Sequence, residues 1–392
     1  SRGHDLRRFH EYRDQFHLSA RKFKRLLLRE EITSVAFFNM PHTGDDYLLY
    51  RVAESIGLRI TMVMVSPFKN RFCSTRSIEG FGRLNRNQTV KRDPSVQIDQ
   101  FDKQAKATVQ SYMWGTRRND KRTLGEVAFA LRLLMRRSPK SFLNPKNLKL
   151  EITEIVRLQR GLKSRRRTLR EIGRGKTTRV FLRWIGLLEK NLEKLPKRFI
   201  YAPLHFQPEL TTVPQGGIFG DQALALEMLA DLLPKGIDIV VKENPMQGTY
   251  HREATYTDRL RQLDRLSVLH PSVSSHLLEE KCDAVATVTG TAGWEAIRDN
   301  RPCICFGHAW YLDCPGVHKF GADFDVEYAI ANPPKRETSE EFLQEVVAKS
   351  HEGITYEFFL NSEEPAYIAR NLQSISETLE GLMFAEIEST FF

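Results

Sequence analysis

DAVATVTGTAGWEAIRD (283–299) is the stretch on which the fold turns. Its first seven residues form a short apolar run rich in valine and threonine. Gly290 and Gly293 interrupt it, and from Ala292 the apolar side chains return at helical spacing. Such a pattern predicts a buried strand turning directly into a helix. The same unit repeats outward. Upstream, RFIYAPL (198–204) reads as a strand and FGDQALALEMLADLL (219–233) as a helix stopped by Pro234-Lys235-Gly236. IDIVVK (237–242) is a strand, HREATYTDRLRQLD (251–264) a helix, LSVLH (266–270) a strand and SSHLLEEK (274–281) a helix. Downstream, PCICFG (302–307) is the next strand. Strands of this apolar kind alternating with helices predict a parallel, doubly wound sheet.

The first part of the chain carries a second, shorter unit. Residues 5–31 read as a basic amphipathic helix, ITSVAFF (32–38) as a strand and NMPHTGDD (39–46) as a turn. YLLYRVAESIG (47–57) then reads as a helix ended by Gly57, and LRITMVMV (58–65) as a second strand, which makes a βαβ unit. Residues 66–100 read as irregular and polar. From about 105 to 195 helical spacing dominates, in EVAFALRLLMRR (126–137), LEITEIVRLQRGL (150–162) and VFLRWIGLLEKNLEKL (180–195), and Pro196 closes the region. The tail from Ser339 reads as helical. The expected class is α/β and GT-B-like: two Rossmann-like halves, a long basic helical insertion and a C-terminal helix. Expected boundaries are 1–196, with the insertion at about 105–195, then 197–338 and 339–392.

Composition bounds the possibilities. A chain of 392 residues exceeds one typical domain, and 41% hydrophobic with 28% charged residues describes a globular protein with real cores. No apolar run approaches the roughly 18–20 residues that span a bilayer. The start, SRGHDLRRFHEYRDQF (1–16), shows no secretory signal, and the missing initiator Met leads us to expect numbering that begins inside a longer protein. Five cysteines (Cys73, Cys282, Cys303, Cys305, Cys314) form no CxxC pair and no zinc-like spacing. Buried free thiols, a reducing compartment and no metal are expected. Net charge is +10, and Arg157 to Arg183 holds eleven Lys/Arg against one acid, Glu171. That window reads either as a patch for an anionic surface or as a solvated helical face.

Open α/β sheets bind ligands at the carboxyl ends of their strands. Here three such ends are unusually polar: HFQPELTTVPQGG (205–217), ENP (243–245) and TGTAGWEA (289–296). In the last, Gly290 and Gly293 allow close backbone approach, Thr289 and Thr291 add hydroxyls, and the opening helix presents free amides, which together suit a phosphate. Glu295, one turn beyond Thr291, suits ribose hydroxyls; a capping box is the structural alternative, one residue out of register. Lys242 stands where it would neutralise the same phosphate, or is a snorkelling surface lysine. Ser274 and Ser275 are helix caps or further phosphate donors. Trp310 and Tyr311 are aromatic core or the wall of a base pocket.

At these residues the chain resembles the bacterial capsule polysaccharide biosynthesis proteins, including the retaining β-Kdo transferases that use CMP-Kdo. The resemblance covers about 198–320 and rests on PLHFQPELTTVPQGG, VVKENP, VATVTGTAGWEA and FGHAWYLDCPGV in that order, with support from MPHTGDDYLLY (40–50). It implies a GT-B-type fold with the nucleotide sugar in 197–338 and the acceptor facing 1–196. It also implies a catalytic carboxylate near Gln207-Pro208-Glu209, where Glu209 stands for the family's aspartate nucleophile. The family's Lys-x-His-Pro motif is here Lys242-Glu243-Asn244-Pro245, so an uncharged amide replaces an imidazole. On this reading Gln207, Lys242, Asn244, Ser274, Ser275, Thr289, Gly290, Thr291 and Glu295 bind the donor. Glu209 meets the anomeric carbon, and His205, His42, Asp45 and Asp46 orient or deprotonate the acceptor hydroxyl; the Asp pair also reads as a helix cap. Expected partners are a nucleotide sugar, a glycan or lipid-linked acceptor, and the anionic inner-membrane surface through 157–183. No cofactor, metal or nucleic acid is expected, and the expected place is the cytoplasm, peripheral at the inner membrane. A UDP- or GDP-sugar transferase or epimerase, and a non-catalytic basic membrane- or RNA-binding relative, remain as alternatives.

Overall fold

The computed structural model describes residues 9–87, 89–99, 123–137, 145, 148–149, 152, 155–156, 188–189, 191–207, 209–244, 247, 252, 254–355 and 364–392. The basic window 157–183 and most of the expected insertion lie outside the described residues. The chain forms two compact units, each built from separated segments. The first takes Ser1–Val109, Glu209–Gln222 and Asp283–Phe392; the second takes Gln110–Pro208 and Ala223–Cys282.

In chain order the elements begin with α1 (Phe9–Arg29), β1 (Ser34–Phe37), α2 (Gly44–Ser55), β2 (Arg59–Val65) and β3 (Arg71–Thr75). The second unit follows with α3 (Leu124–Arg137) and β4 (Phe199–Pro203), and α4 (Gln222–Asp231) starts at the junction of the two. β5 (Asp238–Lys242), α5 (Ala254–Arg261), β6 (Leu266–Leu269) and α6 (Ser275–Lys281) complete it. The chain then re-enters the first unit with β7 (Ala284–Thr287), α7 (Thr291–Arg298), β8 (Cys303–Cys305) and β9 (Val317–Lys319). It ends with α8 (Val326–Ala331), α9 (Arg336–Lys349), β10 (His351–Glu352) and α10 (Pro365–Phe384).

In the second unit β4, β5 and β6 run parallel, with Pro203 opposite Lys242 and Lys242 opposite Leu269. Four of the five β5 residues are buried, because helices cover a parallel sheet on both faces and leave no polar side to alternate with. α3 adds a small separate core, in which Ala130, Leu133 and Leu134 pack on Ile155 and Val156. Leu192–Lys194 forms a single 3₁₀ turn capped by Asn191, where helical spacing had predicted the end of a longer helix. The Asn191 side chain accepts from the Glu193 amide and begins a new turn there.

In the first unit β7, β8 and β9 are likewise parallel, with α7 as the crossover from β7 to β8. The same unit holds a mixed sheet in the order β1-β2-β3-β10. β1 and β2 are parallel around α2, which ends at Gly57 in the left-handed region (φ +73°), as the sequence predicts. β3 corrects the reading of 66–100 as wholly irregular: it pairs antiparallel with β2 from Met62↔Thr75 to Val65↔Phe72. Its five residues are too few to show a period, and the reversal is made by Ser66, whose hydroxyl donates to the Arg71 carbonyl (2.6 Å) and accepts from the Phe68 amide (3.2 Å). α10 covers this sheet through Ile375, which packs on Val63 and Phe72.

Candidate functional site

In the first unit three loops close on one another at the carboxyl ends of β7 and β8. Phe306 and Gly307 donate their amides to the Thr287 and Val288 carbonyls, and the His308 amide donates to Gln215 (2.8 Å). A Cβ on Gly307 would stand 2.6 Å from Thr289 Cγ2 and 2.7 Å from the Gln215 carbonyl, so only glycine lets 209–217, 287–290 and 306–308 meet. The Thr289 hydroxyl donates to the Thr211 carbonyl (2.6 Å), and the Thr211 hydroxyl donates to Glu209 Oε2 (3.0 Å). Glu209 is exposed, and its own carbonyl anchors the turn by accepting from Thr212 and Val213. Glu209 is thus two hydrogen bonds from the strand-to-helix turn.

Gly290 is the N-cap of α7, with extended dihedrals and no side-chain cap. Its amide is taken by Thr287 Oγ1 (3.0 Å), so it is not free for a phosphate oxygen. The next two amides, of Thr291 and Ala292, lie in the first helical turn, which has no intrahelical acceptors to offer them. With the exposed Thr291 hydroxyl they are the donors this turn holds open. Gly293 has a different role from the one the sequence suggested. A Cβ there would lie 2.3 Å from the hydroxyl of Tyr311, which donates to the Gly290 carbonyl (2.5 Å). The glycine admits a buried tyrosine, not a ligand. Trp310 lies tilted against Trp294, with ring centroids 4.8 Å apart, and edge-on to Phe68, within the aromatic core.

The second unit holds another group of candidates. Lys242 ends β5 with 8% exposure, and its ammonium donates to Ser275 Oγ (2.5 Å) and the Val273 carbonyl (3.1 Å). Burial pulls its pKa below the usual lysine value, and the charge of Glu279 pulls the other way. Ser274 caps α6 without a side-chain bond, and Ser275 also receives the Tyr201 hydroxyl at 3.4 Å. Lys242 and Ser275 are therefore brought together, but the ammonium is engaged with protein oxygens.

Beside them lies a cluster that sequence reasoning missed. Arg252 and Glu243 are both fully buried and form a forked pair, Nε–Oε2 2.9 Å and Nη2–Oε1 3.2 Å. Arg252 also donates to Gln207 Oε1 (2.6 Å) and to the His205 carbonyl (3.0 Å), and its guanidinium lies 4.6 Å from the Tyr256 ring. Gln207 further exchanges bonds with Gln247, and the Asn244 amide donates to Glu243 Oε1 (2.8 Å). Two of the polar loops, 205–207 and 243–244, are thus held by one arginine. Burial, with Arg252 adding like charge, pushes the His205 imidazole down to about 4, so it is neutral at neutral pH.

The comparisons bear on this region. Residues 198–359 match the family described as capsule polysaccharide biosynthesis protein. That stretch contains every donor-side candidate and Glu209; His42, Asp45 and Asp46 fall outside it. The resemblance read from the sequence is thus supported by a family match over residues 198–359. No curated protein matches the chain. Among solved structures, the Thermosulfurimonas dismutans KpsC β-Kdo 2,7 transferase is 16% identical, covering 44% of this chain and 61% of its own, with a TM-score of 0.26. This chain thus spans less than two thirds of that protein. The β-Kdo 2,4 transferase of the same KpsC is 11% identical over 82% of this chain and 80% of its own (TM-score 0.32). The Methanocaldococcus jannaschii UDP-GlcNAc 2-epimerase, solved with UDP-GlcNAc and UDP, is 14% identical over 85% and 80% (TM-score 0.26). Likenesses of this size carry no functional weight, and the α/β class rests on this chain's own parallel ladders.

The remaining candidates sit apart from the matched residues 198–359 in sequence. Asp45 and Asp46 occupy the first turn of α2, where negative charge meets the helix dipole, and Asp46 Oδ1 accepts from the Tyr47 amide (2.6 Å). His42 Nδ1 bonds the Met40 carbonyl at 2.9 Å. Among the described residues no three His, Cys, Asp or Glu side chains group as metal ligands, and no helix is long and apolar enough to cross a membrane. All five cysteines are buried and free, and burial pushes Cys73 up to about 12 and Cys305 to about 11. Thiols so raised are poor nucleophiles.

Proposed function

We propose that this chain is a glycosyltransferase of capsule polysaccharide synthesis that moves Kdo, or a related ulosonic acid, from a CMP donor to a glycan or lipid-linked acceptor. The observation that carries this reading is the pair of hydrogen bonds from the Thr289 hydroxyl to the Thr211 carbonyl and from the Thr211 hydroxyl to Glu209, which holds the loop of an exposed carboxylate against the turn that leads into α7. The Thr291 hydroxyl and the Thr291 and Ala292 amides meet phosphate charge as it grows on the departing CMP. Glu209 attacks the anomeric carbon while the bond from that carbon to the phosphate oxygen breaks, and CMP leaves with the electron pair. The acceptor hydroxyl oxygen then attacks the same carbon, the bond to Glu209 breaks with its electron pair returning to the carboxylate, and the acceptor proton passes to a base among the acceptor-side residues His42, Asp45 and Asp46. Protein donors meet the phosphate in this scheme, without a metal. Arg252 and Glu243 serve as positioning residues that fix the loops bearing His205, Gln207 and Asn244.

Thermal unfolding with CMP, UDP and GDP tests the nucleotide, and product mass from CMP-Kdo tests the chemistry. CMP at about a hundred times its Kd stabilises the fold by about 2.7 kcal/mol. Glu209→Gln keeps that stabilisation and loses transfer by roughly a hundredfold or more. Stabilisation by UDP alone favours a UDP-sugar enzyme on the same fold, and unimpaired transfer by the variant removes Glu209 from the mechanism.

A further inference from the structure

A cavity of about 430 Å³ opens in the first unit beside the turn that joins β2 to β3. Lys69, Asn70 and Arg71 form one side, and α10 forms the other. Tyr367, Arg370, Asn371 and Ser374 recur at i, i+3, i+4 and i+7, so a single face of the helix lines it. Its back wall is fixed. The buried Asn371 side chain accepts from the Ile354 amide (2.6 Å) and donates to the Ile354 carbonyl (3.0 Å). The Gly353 amide donates to the Asn70 carbonyl (2.9 Å) at φ +139°, and a Cβ there would stand 2.8 Å from Ile375 Cγ1, so glycine closes that corner. Arg71 donates to the hydroxyl and the carbonyl of Ser350, each at 2.6 Å.

The rim is charged. Lys69 and Arg370 are exposed, and among the described residues neither side chain makes a hydrogen bond or ion pair; nor does the side chain of Asn70. One acid answers the three cations: Glu352, 82% exposed and 3.8 Å from Arg71. Like charges gathered on one cavity repel, and an anion seated among them relieves that repulsion.

We propose that this cavity binds an acidic sugar, with its carboxylate between Lys69 and Arg370, its hydroxyls on the Asn70 amide and its ring against the half-buried Tyr367. Two features select this ligand among anions. Glu352 at the rim repels a second negative charge, so a carboxylate monoanion fits better than a phosphate dianion. The amide and the aromatic ring beside the cations suit hydroxyls and a pyranose ring, which a bare anion lacks. The inference stands on this cavity and not on the α7 turn, so a chain that transfers no sugar would still bind the ligand.

The test is ligand-observed NMR titration of the full chain, without nucleotide, using methyl glucuronide, methyl glucoside and inorganic phosphate. Methyl glucuronide is expected to bind with a Kd on the order of a millimolar, and the neutral glucoside about tenfold more weakly. Lys69→Gln and Arg370→Gln each weaken the glucuronide by about tenfold. Both positions are exposed, so both variants should unfold at the wild-type temperature. Glucoside bound as tightly as glucuronide overturns the proposal, as does phosphate bound more tightly than either. So does a glucuronide affinity that both variants leave unchanged, or no glucuronide binding at all.

Discussion

Arg252 heads the fully buried large side chains among the described residues. In HREATYTDRLRQLD it is one basic residue of several, and nothing in its spacing marks it. The fold removes it from water and supplies a carboxylate fork, an amide oxygen and a carbonyl. A buried charge left without its partner is costly, so Arg252→Met is expected to destabilise the protein by about 3–5 kcal/mol in urea unfolding. Arg252→Met with Glu243→Leu removes both charges and should recover most of that loss. Lys242 gives a related lesson: the strand end that places it is legible in IDIVVK, but its engagement by Ser275, 33 residues on, is not.

Elements were more legible than residues. RFIYAPL, IDIVVK, LSVLH, DAVATVT and PCICFG each contain a parallel strand, because a strand buried on both faces is written as one continuous apolar run. The polar turn TGTAG was equally plain, and α7 does begin within it. What each glycine does was not plain. Gly293 gives way to Tyr311, a residue 18 positions later, and sequence spacing carries no trace of that contact. Gly293→Ala therefore overpacks the start of α7 and should cost about 1–3 kcal/mol in chemical denaturation. It should also weaken CMP stabilisation, because the helix start shifts.

Across the whole molecule, titration gives a summed consequence. His205 in the second unit, and His308 and His351 in the first, are all held down to about 4 from 6.5, chiefly by burial. The unfolded chain takes up these protons as pH falls below the ordinary value, and the folded chain resists until about 4. Acid therefore favours unfolding across that window. Each fully shifted group contributes a fall of about 1.4 kcal/mol per pH unit below about 6.5, and its slope vanishes below about 4. Urea midpoints between about pH 7 and about pH 5 should drop accordingly, and His351→Gln should flatten the slope.

The chain's local pattern settled where β4 to β8 and the helices between them occur, that these strands run parallel, and which loops carry the polar groups, since periodicity and turn chemistry are local properties; it did not show the antiparallel β3. Which of those groups meet was settled by folding. The bonds that tie Thr289 to the loop of Glu209 span about eighty positions, and the pair of Arg252 with Glu243 depends on burial that no window of residues displays. Contacts between distant segments are fixed by packing, and packing follows from the whole chain at once.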